Sequence, residues 1–231
     1  MTAKSAALVA ASTFNASAFL CLHQENPYTE IVAVDGGYAH LTEIHVAPTF
    51  ALGDFDSLGF VPQGIPLATF PEEKDKSDLE LALDWCAQQG IENVTVYGAF
   101  AQRLDHTLAA LQAMASFALQ TKSAVQGISE TQHLVVLPPG VQLVIEKEAQ
   151  TPSFCSLPKD KRCVSVISLA NESCGVSVLG MKYQLNGGEL TNTCSLGLSN
   201  ELVGNEVRIV CASGCLLVIL PLFQKCVFQS K

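Results

Sequence analysis

Four short apolar runs in the first half of the chain, AALVAA (6–11), EIVAVD (30–35), TFALGD (49–54) and NVTVYG (93–98), are bounded by polar residues or glycine and separated by stretches that can hold helices. Runs so brief and so continuous match strands buried on both faces. Between the last two, SDLELALDWCAQQG (77–90) puts Leu79, Leu83 and Cys86 on one helical face, with Ser77 as N-cap and Gly90 as the stop. DHTLAALQAMASFALQ (105–120) predicts another helix. Strands that alternate with helices require an α/β layered, mostly parallel sheet.

The texture changes at TKSAVQGISETQ (121–132), a polar stretch that reads as the junction. Beyond it HLVVLPPGVQLVIE, CVSVISLA, CGVSVLGMKY and NEVRIVCASGCLLVIL are β-rich and joined by Gly, Asn and Pro turns. They predict an antiparallel β-sandwich. The expectation is two domains, α/β over residues 1–126 and β-sandwich over 127–231. At 231 residues, 48% hydrophobic and 15% charged, the chain has the apolar material for both cores.

A net charge of -9 argues against a nucleic-acid backbone or an anionic membrane surface as partner, since both attract basic patches. Nine cysteines, an odd count, form no regular framework. Buried reduced thiols and a cytoplasmic location follow as expectations. The stretch after Lys4 loosely mimics a secretory signal. Asn15 and several hydroxyls interrupt it, however, and a first buried strand at Ala6–Ala11 is expected instead. No apolar run approaches the ~20 residues of a membrane helix.

Polar clusters sit where ligands bind in open α/β sheets, beyond the carboxyl ends of strands. Asp35, Gly36 and Gly37 end one strand; Asp54 and Asp56, in GDFDS, end another; Arg103, Asp105 and His106 follow a third. Lys74, Lys76 and Asp78 precede a helix whose free N–H groups favour anions. A lone D-x-D is most often a turn former. Two acids one residue apart can also face the same side of an extended segment, where a divalent cation such as Mg²⁺ with a phosphate ligand would offset their repulsion.

Taken in order, DGG, GDFDS, EEKDKSDLELAL, RLDHTLA and the distant LGLSNE (196–201) resemble the thiamine pyrophosphokinase family. The resemblance implies an α/β catalytic domain, a β-sandwich thiamine-binding domain, and a homodimer with its sites at the subunit interface. It implies transfer of a diphosphate group from ATP to the hydroxyl of thiamine, giving thiamine diphosphate and AMP. Asp54, Asp56, Asp78 and Asp105 would be the catalytic Mg²⁺ and phosphate acids. Lys74, Lys76 and Arg103 would contact phosphate, Asp35, Gly36 and Gly37 would line the nucleotide side, and Ser199 and Asn200 of the partner chain would meet the thiamine pyrimidine. The chain departs from the family where Ala101 and Gln102 replace two glycines before Arg103, and where Ala110 replaces an asparagine. His106 and Trp85 read as structural. Rival readings are a diphosphokinase for a pterin-type heterocycle and a nucleotide- or thiamine-binding sensor without turnover.

Overall fold

β1 (Ser5–Val9), β2 (Glu30–Val34), β3 (Phe50–Gly53) and β5 (Asn93–Tyr97) occupy the four apolar runs, and β1 and β2 are almost wholly buried. Two strands that the sequence pattern does not announce, β4 (Leu67–Thr69) and β6 (Val125–Ile128), extend the sheet at its edges. The order is β6-β5-β1-β2-β3-β4, with every neighbouring pair parallel. β6 lies inside the polar stretch read as the junction, with Val125, Gly127 and Ile128 buried. The computed structural model describes residues 4–71, 75–100, 103–147, 153–222 and 224–230. The chain divides into two units, Met1–Phe117 with Val125–Glu130, and Ala118–Ala124 with Thr131–Lys231.

Four helices are described in this half: α1 (Ala16–Glu25), α2 (Gly37–Glu43), α3 (Asp78–Gln88) and α4 (Leu104–Thr121). α3 forms as its pattern requires. The Ser77 hydroxyl accepts the Glu80 N–H at 3.2 Å, and Leu79, Ala82, Leu83 and Cys86 are buried. Trp85 stacks on Phe50 with ring centroids 4.7 Å apart, a packing role. Asn15 caps α1, its Oδ1 accepting the Ala18 N–H at 3.0 Å. From β1 the chain runs outward through β2, β3 and β4, then returns to β5 on the other side of β1. That reversal opens a crevice at the carboxyl ends of the strands, where an open α/β sheet binds its ligands.

The second unit is antiparallel. β7 (Gln132–Leu137), β9 (Cys163–Ser168), β12 (Asn200–Glu201) and β14 (Leu216–Pro221) pair in the order β12-β9-β14-β7. β8 (Val141–Glu146), β10 (Glu172–Leu179), β11 (Leu185–Thr191), β13 (Glu206–Val210) and β15 (Lys225–Ser230) pair as β11-β10-β13-β8-β15. Val135, Val164, Val166 and Val218 from the first set join Leu143, Ile145, Val176 and Ile209 from the second in one core. Alternating inward residues of two sheets make a sandwich, as the sequence predicts.

All nine cysteines are free thiols. Cys86, Cys211 and Cys215 are buried, and burial pushes Cys211 up to about 11 and Cys86 and Cys215 up to about 12. Cys155 and Cys194 are exposed. Among the described residues no helix is long and apolar enough to cross a membrane.

Candidate active site

Asp35, Asp54 and Asp56 converge at the ends of β2 and β3, each offering a carboxylate oxygen within 4.8 Å of the others. The two acids of GDFDS do not reach the same side through an extended pleat. Phe55 between them takes a left-handed conformation, with φ of 59°, and buries its ring in the core at 2% exposure. This turn displays the flanking carboxylates together. Such a conformation is rare for a bulky residue and is held by its surroundings. Asp35 is also left-handed, with φ of 48°, and its N–H donates to Leu52 O at 2.8 Å.

Gly53 makes the convergence possible. Its φ is +148°, and a Cβ there would stand 3.0 Å from both Cα and Cβ of Asp35. Gly37 has a similar duty toward the protein itself, since a Cβ at that position would lie 1.8 Å from Val9 O. The space that these glycines leave is taken by the chain's own strand ends.

The hydrogen bonds around the cluster leave one oxygen of Asp35 over. Ser57 Oγ donates to Asp35 Oδ2 at 2.8 Å, and the Asp56 N–H points to Asp54 Oδ1 at 3.3 Å. Asp35 Oδ1 is buried and has no hydrogen-bond partner among the described residues. An orphaned buried carboxylate oxygen beside two further acids is a donor set that fits a hard divalent cation.

The other expected phosphate-side residues are held by α3, α4 and the turns before them. Asp78 is the first residue of α3 and half-buried. Lys76 turns to α3, reaching Asp84 at 2.6 Å and Glu80 at 3.5 Å. Arg103 binds Asp105 through two hydrogen bonds, Nε to Oδ1 at 3.2 Å and a terminal nitrogen to Oδ2 at 2.6 Å. That pairing holds the exposed Asp105 carboxyl down at about 2. His106 is exposed beside it, and Ala110 is buried. Lys74, Ala101 and Gln102 lie outside the described residues.

In the β unit, Ser199 is another left-handed residue, with φ of 55°. Its N–H donates to Ser165 Oγ at 3.0 Å. Asn200 is buried at 6% exposure, and its amide is committed to main chain. Oδ1 accepts the Tyr183 N–H at 3.0 Å and Nδ2 donates to Tyr183 O at 2.6 Å. The effect is to hold Tyr183, whose side chain remains 65% exposed. Tyr183 escapes sequence reasoning because GMKYQL carries no motif signal; an exposed aromatic gripped through its backbone is visible only in the fold. Nearby, Val166, Ile167, Cys194 and Leu198 help line a cleft of about 350 Å³.

Two models of one family match the chain, described as thiamin pyrophosphokinase, catalytic domain, over residues 23–126, and thiamin pyrophosphokinase, vitamin B1 binding domain, over residues 143–216. The chain belongs to the thiamine pyrophosphokinase family. Thiamine pyrophosphokinase of Bacillus subtilis (strain 168) is 29% identical over 198 residues, covering 83% of this chain and 87% of that protein. Thiamin pyrophosphokinase 1 of Caenorhabditis elegans is 23% identical over 180 residues, covering 74% and 70% respectively. The crystal structure of thiamine pyrophosphokinase from Bacillus subtilis superposes with a TM-score of 0.76 at 25% identity, covering 94% of this chain and 98% of that one.

For this thiamine pyrophosphokinase family member, the donor set of the acid cluster decides which cation it suits. Three hard carboxylate oxygens fit Mg²⁺, which prefers a few carboxylates and fills its remaining positions with phosphate oxygens and water. Asp35 stands with Asp54 and Asp56 in that set.

Proposed function

We propose that the protein is a thiamine diphosphokinase, which moves a diphosphate group from ATP to the hydroxyl of thiamine and releases AMP. The observation that carries this reading is the convergence of Asp35, Asp54 and Asp56 at the carboxyl ends of β2 and β3 in a parallel sheet, in a chain of the thiamine pyrophosphokinase family. The thiamine hydroxyl oxygen bonds to the β-phosphorus of ATP as the bond from that phosphorus to the α,β-bridging oxygen breaks. AMP leaves with the electron pair, and the hydroxyl proton passes to solvent.

Phosphoryl-type transfer asks the protein mainly for alignment and charge neutralisation. Asp35, Asp54 and Asp56 would hold Mg²⁺, which when bound neutralises charge on the transferring phosphates. Arg103 spends two of its five N–H donors on Asp105 and so keeps an oriented remainder for phosphate. Asp78, Lys74 and Lys76 belong to the same side in this reading, and Gly36 and Gly37 fix the strand ends beside it. Ser199 and the Tyr183 ring would face the thiamine pyrimidine, with Asn200 holding both segments together.

The resemblance supports a homodimer in which the β unit of one chain serves the acids of the other. Free thiols throughout the chain fit a cytoplasmic enzyme. The match to a vitamin B1 binding domain favours thiamine over a pterin-type substrate. Incubation of the purified protein with thiamine, ATP and Mg²⁺ should yield thiamine diphosphate and AMP in equal amounts. A protein that binds both substrates and releases no AMP is a sensor, and that result overturns the reading.

A further inference from the structure

The segment that leads to Ser199 is fastened at successive points. Gly197 O accepts the Val166 N–H at 2.9 Å, the Leu198 N–H donates to Ser195 O at 3.1 Å, and Ser199 is bound to Ser165 as described. The last fastening is Glu201, which is 9% exposed. Its Oε1 accepts from Lys182 Nζ at 3.2 Å, and its Oε2 pairs with an Arg162 terminal nitrogen at 3.1 Å. The main chain repeats the connection: the Lys182 N–H donates to Glu201 O at 2.9 Å, and the Leu202 N–H donates to Arg162 O at 2.9 Å.

A carboxylate withdrawn from water between two cations is a poor device for raw stability, because desolvation offsets the attraction. What such a pair can supply is a fixed register. Here the register joins two particular segments. Lys182 adjoins Tyr183, and Glu201 adjoins Asn200, so the ion pairs tie together the same two stretches that the Asn200 amide ties. The Glu201 N–H also donates to Asn200 Oδ1 at 2.9 Å, placing the acid and the amide in one network. Arg162 Nε is buried without a hydrogen-bond partner among the described residues, so the Glu201 carboxylate is its main compensation.

We propose that Glu201 is a positioning residue for the thiamine side of the reaction: with Arg162 and Lys182 it fixes the Lys182–Tyr183 turn against residues 199–201 before substrate arrives. The inference rests on the reading that this face takes thiamine. Ser199 sits in an unfavourable left-handed conformation and Tyr183 projects into solvent, so neither keeps its place unaided. Fixing them in advance removes an ordering cost from binding. Loss of Glu201 therefore acts on thiamine and leaves ATP and the chemical step alone.

Steady-state kinetics of Glu201→Gln, Lys182→Met and the double variant, as full-length proteins, test this. Glu201→Gln should raise the thiamine KM about tenfold and Lys182→Met about threefold. The double variant should stay within about twofold of Glu201→Gln, because both changes break one network. The ATP KM and kcat should hold within about twofold in each. A merely structural role would shrink the active fraction, lowering apparent kcat and leaving both KM values unchanged, and that result overturns the proposal. So does an ATP KM that rises in step with the thiamine KM. Should Glu201→Gln not fold, Lys182→Met carries the test alone, since its side chain is about half exposed, and an unchanged thiamine KM refutes the proposal. A wild type that makes no thiamine diphosphate removes the functional reading and the inference together. An active wild type whose variants keep the thiamine KM overturns the inference only.

Discussion

The acids of the α/β unit and the Ser199 face of the β unit are built in opposite ways. Asp35, Asp54 and Asp56 are aimed by backbone: two left-handed residues, a glycine at +148° and one side-chain bond from Ser57. Ser199 and Tyr183 are aimed by side chains that lie elsewhere in sequence, namely Ser165, Asn200 and Glu201. A cluster of like charges needs a frame that does not relax when a cation comes and goes, and strand ends supply one. A face without clustered charge can be held by hydrogen bonds, at the cost of depending on more positions.

The largest effect should come from the backbone-built site. Asp54→Asn keeps the turn and removes a charge, so turnover should fall on the order of 10³-fold with an unchanged unfolding midpoint. Near-normal activity would return Asp54 to the status of a turn residue. An intermediate effect is expected on the side-chain-built site. Asn200→Ala releases the Tyr183 backbone and should raise the thiamine KM by about tenfold or more while also lowering stability. If the two sites belong to different chains of a dimer, mixing the Asp54→Asn and Asn200→Ala proteins in equal amounts and assaying at thiamine well below its KM should give roughly a quarter of wild-type activity through hybrids. No recovery after subunit exchange would place both sites in one chain.

The smallest effect separates the two units by pH. His133, on β7, is buried, and burial lowers its imidazole to about 4. The folded form resists the proton that the unfolded chain takes up near 6.5, so stability is full above about 6.5 and falls as the pH drops toward 4. The loss at pH 5 relative to pH 7 should be about 2 kcal/mol. Urea unfolding at the two pH values measures it, and His133→Gln should flatten the difference. A transition that shifts equally in the variant would assign the effect to other groups.

Much of this was legible beforehand, and the exceptions have physical causes. β1, β2, β3 and β5 announce themselves because both faces are buried and the runs are continuous. β6 does not, because only four residues pair and Gln126 and Gly127 interrupt the apolar signal. α1 hides in a stretch that resembles a signal segment, although Asn15, the residue that argues against that reading, turns out to be its cap. At the site, residue type marks Asp54 and Asp56 but says nothing about how they meet. An extended D-x-D and a left-handed Phe55 give the same letters. Asn200 is marked by its motif, yet its partner Tyr183 lies seventeen positions away in a turn whose register only the fold supplies.

The buried thiols give the molecule an internal clock. A cysteine reacts as thiolate, and Cys86, Cys211 and Cys215 are both protonated at neutral pH and shut away from reagent. Cys155 and Cys194 react from the start. Once the exposed and partly exposed thiols have reacted, the three buried ones can be labelled only when their own unit opens: Cys86 reports the α/β unit, and Cys211 and Cys215 report the sandwich. Mapping which cysteine is labelled, and when, reads the opening rates of the two units from a single sample of the native chain.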